Sequence, residues 1–248
     1  LKRWYGERLF HKLRLWDAEV APRPDKLLTS SHEVQRRIEL YWQRESDVVY
    51  PPVDDFWLEP SAQYESTKVR KYENDDNVSD FHTSSLPYYL IVSTLVPYKR
   101  INLAIEACNQ LQLPLTIIGS GPDRARLEKL AGPTIEFLGY QTDEQVRDAY
   151  RQASAVLFPG EEDFGLVPLE AMASGTPVIA YRSGGALETI IDGTTGTFFN
   201  EPTTASLANT LKNYEQKMYT KEACRQRAEE FSEERFANLI EQAIASIM

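Results

Sequence analysis

Little in this chain speaks for disulfide, metal or membrane-spanning chemistry. Its 248 residues include only two cysteines and three histidines. Cys108 and Cys224 fall in helix-like segments without a metal-ligand neighbour, which argues against a disulfide scaffold or zinc site and for a reducing cytoplasm. His11, His32 and His82 are scattered without ligand spacing. Acids cluster at Asp54-Asp55, Asp75-Asp76 and Glu161-Glu162-Asp163, but no D-x-D triplet is present. No apolar run approaches the ~20 residues needed to cross a bilayer, and no signal peptide is visible. An initiator methionine is also missing and the chain opens inside a helix-like stretch, which reads as a fragment of a longer protein. Basic charge is in deficit: 27 Lys+Arg against 37 Asp+Glu give a net charge of −10. That balance argues against general affinity for nucleic acid, so an anionic ligand needs a local site. With 42% hydrophobic and 26% charged residues the composition is that of a soluble globular protein, long enough for one large domain or a domain plus part of another.

One basic stretch is local. Leu1 to Arg14 carries Lys2, Arg3, Arg8, Lys12 and Arg14 against Glu7, with Trp4, Leu9, Phe10 and Leu13 among them. A basic amphipathic helix over residues 1–14 is a candidate for peripheral contact with anionic lipid. The plainer reading is a surface helix that packs its apolar side inward.

Lys26 to Thr29 reads as a short strand, and Ser30 with Glu33 as a capping box opening a helix to about Trp42. Asp47 to Tyr50 is the next strand, stopped by Pro51-Pro52. From Glu59 to Ser85 the chain is polar and poor in aliphatic residues, as in a linker or mobile loop. A regular alternation then begins. Strands are expected at Tyr88–Val92, Leu115–Ile118, Ile135–Leu138, Ala155–Phe158, Val178–Ala180 and Gly196–Phe199. Helices fill the gaps, among them Ile101 to Leu111, one starting at Pro122, and one capped by Thr142 and Gln145. The tail from about Thr203 is helical, with Ser232 capping the last helix. Buried apolar runs alternating with amphipathic helices mean a doubly wound parallel sheet of α/β class, covered on both faces. Such sheets bind ligands at the carboxyl ends of their strands.

Glu162 and Glu170 stand eight positions apart in the string from Glu162 to Ala180. A helix starting near Pro168, a residue favoured in the first turn, places Glu170 in that turn, projecting back toward the N-terminus. Backbone N–H groups from Phe164 to Val167 are then open to an anion. Gly165 permits close approach to the main chain. Both carboxylates can accept hydrogen bonds from vicinal hydroxyls. Alternatively, Glu170 favours the helix dipole and Glu162 is a solvated loop residue.

The whole string resembles the E-x7-E motif of retaining GT-B glycosyltransferases, in the large family 4 often called group 1. Phe158 to Leu166 is similar to a bacterial mannosyltransferase-like branch. The resemblance is strong over Tyr88 to Phe199 and weaker at Leu15-Trp16-Asp17 and Val49 to Asp54. It implies a Rossmann-like GT-B C-terminal domain with a partial second Rossmann-like domain: 1–54 the end of the acceptor domain, 55–87 a linker or mobile loop, 88–231 the donor-nucleotide-binding domain, 232–248 a C-terminal helix. By the same resemblance Glu170 binds the nucleotide's ribose and Glu162 stands beside the donor sugar. The main chain at Phe164, Gly165 and Leu166 meets sugar and diphosphate. Lys99, in the segment from Val92 through Ser93 to Arg100, binds the diphosphate, with help from Arg100 because Thr94 stands where many members carry arginine. Gly139, in Phe137 to Tyr140, presents its backbone to the base, and Ser183-Gly184-Gly185 with Glu188 resembles the next family loop.

The implied reaction transfers a sugar from a nucleoside diphosphate donor, with GDP-mannose favoured by the branch, to a glycan or lipid-linked hydroxyl acceptor with retention. No metal or other cofactor is expected, because Lys99 and the helix terminus can offset diphosphate charge. A nucleotide-sugar-binding fragment without independent catalysis is the second reading. A nicotinamide-dependent oxidoreductase is the third: Gly119-Ser120-Gly121 half-matches the dinucleotide fingerprint, but Arg124 replaces its third glycine.

Overall fold

In a computed structural model that describes residues 2–59 and 87–247, the apolar runs from Tyr88 onward form a six-stranded parallel sheet. Its strands are β3 (Tyr89–Val92), β4 (Leu115–Ile118), β5 (Ile135–Gly139), β6 (Ala155–Phe158), β7 (Val178–Tyr181) and β8 (Gly196–Phe199). A two-stranded parallel piece, β1 (Leu28–Thr29) and β2 (Asp47–Val48), precedes it. The helices are α1 (Lys2–Val20), α2 (His32–Trp42), α3 (Asp55–Leu58), α4 (Ile101–Leu111), α5 (Arg124–Leu130), α6 (Asp143–Gln152), α7 (Leu166–Ala173), α8 (Ala186–Thr189), α9 (Thr204–Asn213), α10 (Lys221–Glu229) and α11 (Glu233–Ala245). Among the described residues no helix is long and apolar enough to cross a membrane.

Strand order is β5-β4-β3-β6-β7-β8. From β3 the chain winds outward through β4 and β5, returns to β6, and winds the other way. The reversal lies between β3 and β6, which pair Tyr89 with Ala155 and Leu90 with Val156. In open α/β sheets this switch point opens a crevice at the carboxyl ends of the two strands.

Alternate residues of each strand face opposite layers. Leu90, Val156, Phe158, Val178 and Ala180 face one core, shared with Tyr150, Leu169, Met172 and Cys224. Tyr89, Ile91, Leu157, Ile179 and Phe199 face the other, shared with Ile101, Ile105, Cys108 and Leu207. Both cysteines are free, and burial pushes each thiol up to about 12, so they behave as packed apolar residues.

The leading segment is a β1–α2–β2 unit, the partial second Rossmann-like element. Its helix is capped by Ser31, whose hydroxyl accepts from the Val34 amide at 3.1 Å, rather than by the expected Ser30. Glu33 is drawn away from a capping box by Arg36 and Arg37. α1 runs beyond Arg14 to Val20, with Leu9, Phe10, Leu13 and Trp16 exposed rather than packed inward. Strands are shorter here than the sequence suggests: β1 starts at Leu28 and β2 stops at Val48. α5 begins at Arg124 instead of Pro122, because Gly121 and Pro122 complete the turn.

The first residues of the expected linker are α3, which packs on α7 and α10. Trp57 sets its ring edge against Tyr150 at 5.7 Å, and the Val53 amide donates to the Phe231 carbonyl at 2.8 Å. The rest of the expected linker, 60–86, lies outside the described residues. Since Trp57 is 8% exposed, Trp57→Ala is expected to cost about 3–5 kcal/mol in urea unfolding. A loss below about 1 kcal/mol contradicts the packing of α3 into this core.

Candidate active site

Two loops meet at the switch point. The one after β3 is tied to its neighbour by Ser93 N–H to the Ile118 carbonyl at 3.0 Å and Leu95 N–H to the Ser120 carbonyl at 2.8 Å. It ends in a 3-10 turn over Pro97–Lys99, and Arg100 then adopts a left-handed conformation, φ 53°, to enter α4. Lys99 is thereby the last residue of the 3-10 turn, just before the start of α4.

The loop after β6 runs from Pro159 to Gly165. Gly160 lets it close on the first loop, because a Cβ there sits only 3.0 Å from the Lys99 Cα. The Glu162 carbonyl accepts from the Gly185 amide at 2.9 Å. Gly165, at φ +86°, is the N-cap of α7, a conformation that side chains with a Cβ avoid. The helix therefore starts at Leu166, two residues before the expected Pro168. Pro168 still falls in the first turn, where its missing N–H has no intrahelical acceptor to lose. Glu170, expected in the first turn, therefore lies two residues deeper, in the second.

These constraints bring Lys99 and Glu162 together. The Lys99 ammonium forms an ion pair with Glu162 Oε1, the side chains being 19% and 21% exposed. Burial draws the Lys99 pKa below the ordinary lysine range. Beside the pair, Ser93, Thr94, Lys99, Phe158, Gly160 and Val167 line part of a cavity of about 170 Å³. The first-turn amides of Leu166 and Val167 open α7 next to it, free of intrahelical acceptors. Leu166 turns its side chain to solvent, whereas Phe164 is buried and stacks on Tyr50 at 5.6 Å, so Phe164 offers a ligand only its main chain.

Glu170 is a largely buried carboxylate. It accepts from the Tyr150 hydroxyl at 3.0 Å, and among the described residues no cation is paired with it. Burial raises its pKa, the Tyr150 hydrogen bond opposes that, and Asp143 adds to it. A carboxyl held in a buried place without a paired cation is a candidate functional group.

Two expected residues stand apart from this cluster. Gly139 ends the edge strand β5 at φ +71°, with its carbonyl taken by the Gly119 amide at 2.7 Å. The Arg100 guanidinium lies 5.3 Å from the centre of the Tyr181 ring. Sequence reasoning missed the bracing groups. Arg37 on α2 forms an ion pair with Asp163. The Glu188 carboxylate accepts from the His32 amide and the Tyr50 hydroxyl, each at 2.9 Å, and so serves the start of α2. Neither pairing has a local sequence signal, since the partners lie 126 and more than 130 residues apart.

A doubly wound parallel sheet, with a lysine and a glutamate meeting across its switch point, defines a Rossmann-like domain. Residues 73–231 match the family model for Glycosyl transferases group 1, and the chain belongs to that family. This membership removes the ground for a nicotinamide-dependent enzyme. The chain is similar to a D-inositol 3-phosphate glycosyltransferase of Mycolicibacterium smegmatis, 28% identical over 210 residues, or 79% of this chain and 46% of that protein. It is also similar to a GDP-mannose-dependent alpha-(1-6)-phosphatidylinositol monomannoside mannosyltransferase of that species, 33% identical over 45% of this chain and 34% of that protein. The chain thus spans less than half the length of these curated relatives. Sucrose-phosphate synthase from Thermosynechococcus elongatus shares the fold at a TM-score of 0.78 and 22% identity, over 96% of this chain and 62% of that one. Anabaena HepE in complex with UDP does so at 0.73 and 21%, over 92% and 66%.

The raised Glu170 pKa has a signed consequence for stability. Folding favours the protonated carboxyl, so its contribution is present below the ordinary carboxylate range and is lost as pH rises through the folded value. Above that folded value the ionised group is a burden on the fold. Glu170→Gln, which can still accept from Tyr150, is expected to raise Tm there, with the gap closing toward about pH 4. A Tm that is unchanged or lower at neutral pH contradicts this.

Proposed function

We propose that this chain carries the donor-binding half of a retaining hexosyltransferase that moves a sugar from a nucleoside diphosphate to a hydroxyl acceptor. The observation that carries the reading is the meeting of Lys99 with Glu162 at the switch point, beside the free amides of α7. A diphosphate needs a cation and backbone donors together, and a donor sugar needs a carboxylate within reach of its hydroxyls. Both needs are met within a few residues.

The hard step is cleavage of the bond between the anomeric carbon and the diphosphate oxygen. Positive charge develops on the sugar and negative charge on the leaving group. Lys99 and the amides at Gly165, Leu166 and Val167 stabilise the departing diphosphate, and their cost of ordering is met before the reaction starts. Glu162 holds the sugar and supports its developing charge. Glu170 accepts hydrogen bonds from the ribose, and the main chain near Gly139 borders the base. A GDP-sugar donor is supported by the GDP-mannose-dependent relative, while the UDP bound to HepE keeps a UDP-sugar in view. The acceptor is a glycan or a lipid-linked group. Peripheral contact with the inner face of a membrane through residues 1–14 is supported by Leu9, Phe10 and Leu13, exposed beside Arg8, Lys12 and Arg14 on α1.

The share of its relatives that the chain spans favours a second reading, a nucleotide-sugar-binding fragment without independent catalysis. Transfer of radiolabelled sugar by this chain alone separates the two. In the full-length enzyme, Lys99→Ala is expected to lower kcat by about 10²–10³, the usual cost of one preorganised donor. Steady-state kinetics at wild-type turnover would remove Lys99 from the mechanism.

A further inference from the structure

Tyr150 sits on α6 with its side chain fully buried, and its hydroxyl donates to Glu170 Oε2 at 3.0 Å. A buried tyrosine hydroxyl needs an acceptor, and a backbone carbonyl is the inexpensive choice. Tyr88 uses the Ala149 carbonyl and Tyr214 the Ser154 carbonyl, each at 2.9 Å. Tyr150 uses a carboxylate instead. That arrangement keeps an ionisable group in a poorly hydrated place where burial disfavours its charge.

Both ends of the bond are anchored. The Tyr150 ring meets the Trp57 edge at 5.7 Å, and its own carbonyl accepts from Thr176 Oγ1 at 2.5 Å. The Thr176 amide in turn donates to the Ala171 carbonyl at 2.8 Å, tying α6 to the turn that ends α7. The tyrosine therefore cannot follow the carboxylate; the carboxylate must settle on the tyrosine. One Glu170 oxygen is spent on this bond, which leaves Oε1 able to accept from another donor.

We propose that Tyr150 is a positioning residue, which fixes the Glu170 carboxylate so that its second oxygen accepts from the vicinal hydroxyls of a nucleotide's ribose. The proposal rests on the ribose-binding reading of Glu170 given above. It goes further by assigning the orientation of that group to a residue which touches no ligand.

The test measures binding of UDP, GDP and their 2′,3′-dideoxy counterparts to the full chain by calorimetry, with Tm followed in parallel. Tyr150→Phe removes one oxygen and keeps the ring. It is expected to weaken whichever ribonucleotide binds by about 5–10-fold, the net worth of one ordinary hydrogen bond, and to leave the dideoxy compound unchanged. Equal weakening of both compounds, or a fall in Tm with both affinities intact, overturns the proposal and makes the hydroxyl purely structural. Should Tyr150→Phe fail to fold, Glu170→Ala with Tyr150→Phe, which leaves neither partner of the bond unsatisfied, is compared with Glu170→Ala alone. Equal ribonucleotide affinity supports the proposal, and a further loss overturns it. Glu170→Ala provides the control. If it too treats ribo and dideoxy compounds alike, or if neither nucleotide binds the wild type, the underlying reading of the site fails. If Glu170→Ala discriminates between them and Tyr150→Phe does not, only the role given to Tyr150 fails.

Discussion

The contact between Lys99 and Glu162 is the interaction on which the site depends. Each belongs to a loop leaving one of the two strands that flank the switch point, so their meeting converts a topological gap into a chemical pocket. Two half-buried charges are costly to desolvate singly, and each relieves the other. The pair also keeps a cation and a carboxylate in place before any ligand arrives. On the proposed reading, a diphosphate competes with Glu162 for Lys99, which frees Glu162 for the sugar.

Support for this contact comes from behind it. The loop after β6 is held by the Gly185 amide, by the stack of Phe164 on Tyr50, and by the ion pair of Asp163 with Arg37. Two of these three come from the leading β1–α2–β2 segment. Glu188 fastens that segment in turn by accepting from the start of α2. The loop after β6 is thus braced by residues from both ends of the chain.

Much of the scaffold was legible in the sequence because periodicity reports burial directly. The runs Tyr88–Val92 and Ala155–Phe158 are apolar throughout, which only a strand covered on both faces requires, and both became central strands. The Thr142 and Ser232 caps were also readable, since each stands alone before its helix. Ser30 misled because Ser31 follows it and one position decides the cap. Pro168 misled because a missing N–H is tolerated anywhere in a first turn, so proline marks that turn without fixing its first residue. The family motif singled out Glu162, Glu170 and Lys99, and the structure brings Lys99 and Glu162 into contact. The partners Tyr150, Arg37 and Tyr50 were invisible, because such pairings are set by how layers dock and leave no trace in local spacing.

The most direct measurement is a crystal structure of the chain with a nucleoside diphosphate bound. The account predicts the diphosphate between the Lys99 ammonium and the amides of Leu166 and Val167, the Lys99–Glu162 contact opened, and the ribose against Glu170. A nucleotide found elsewhere on the sheet, with that contact still closed, would contradict it.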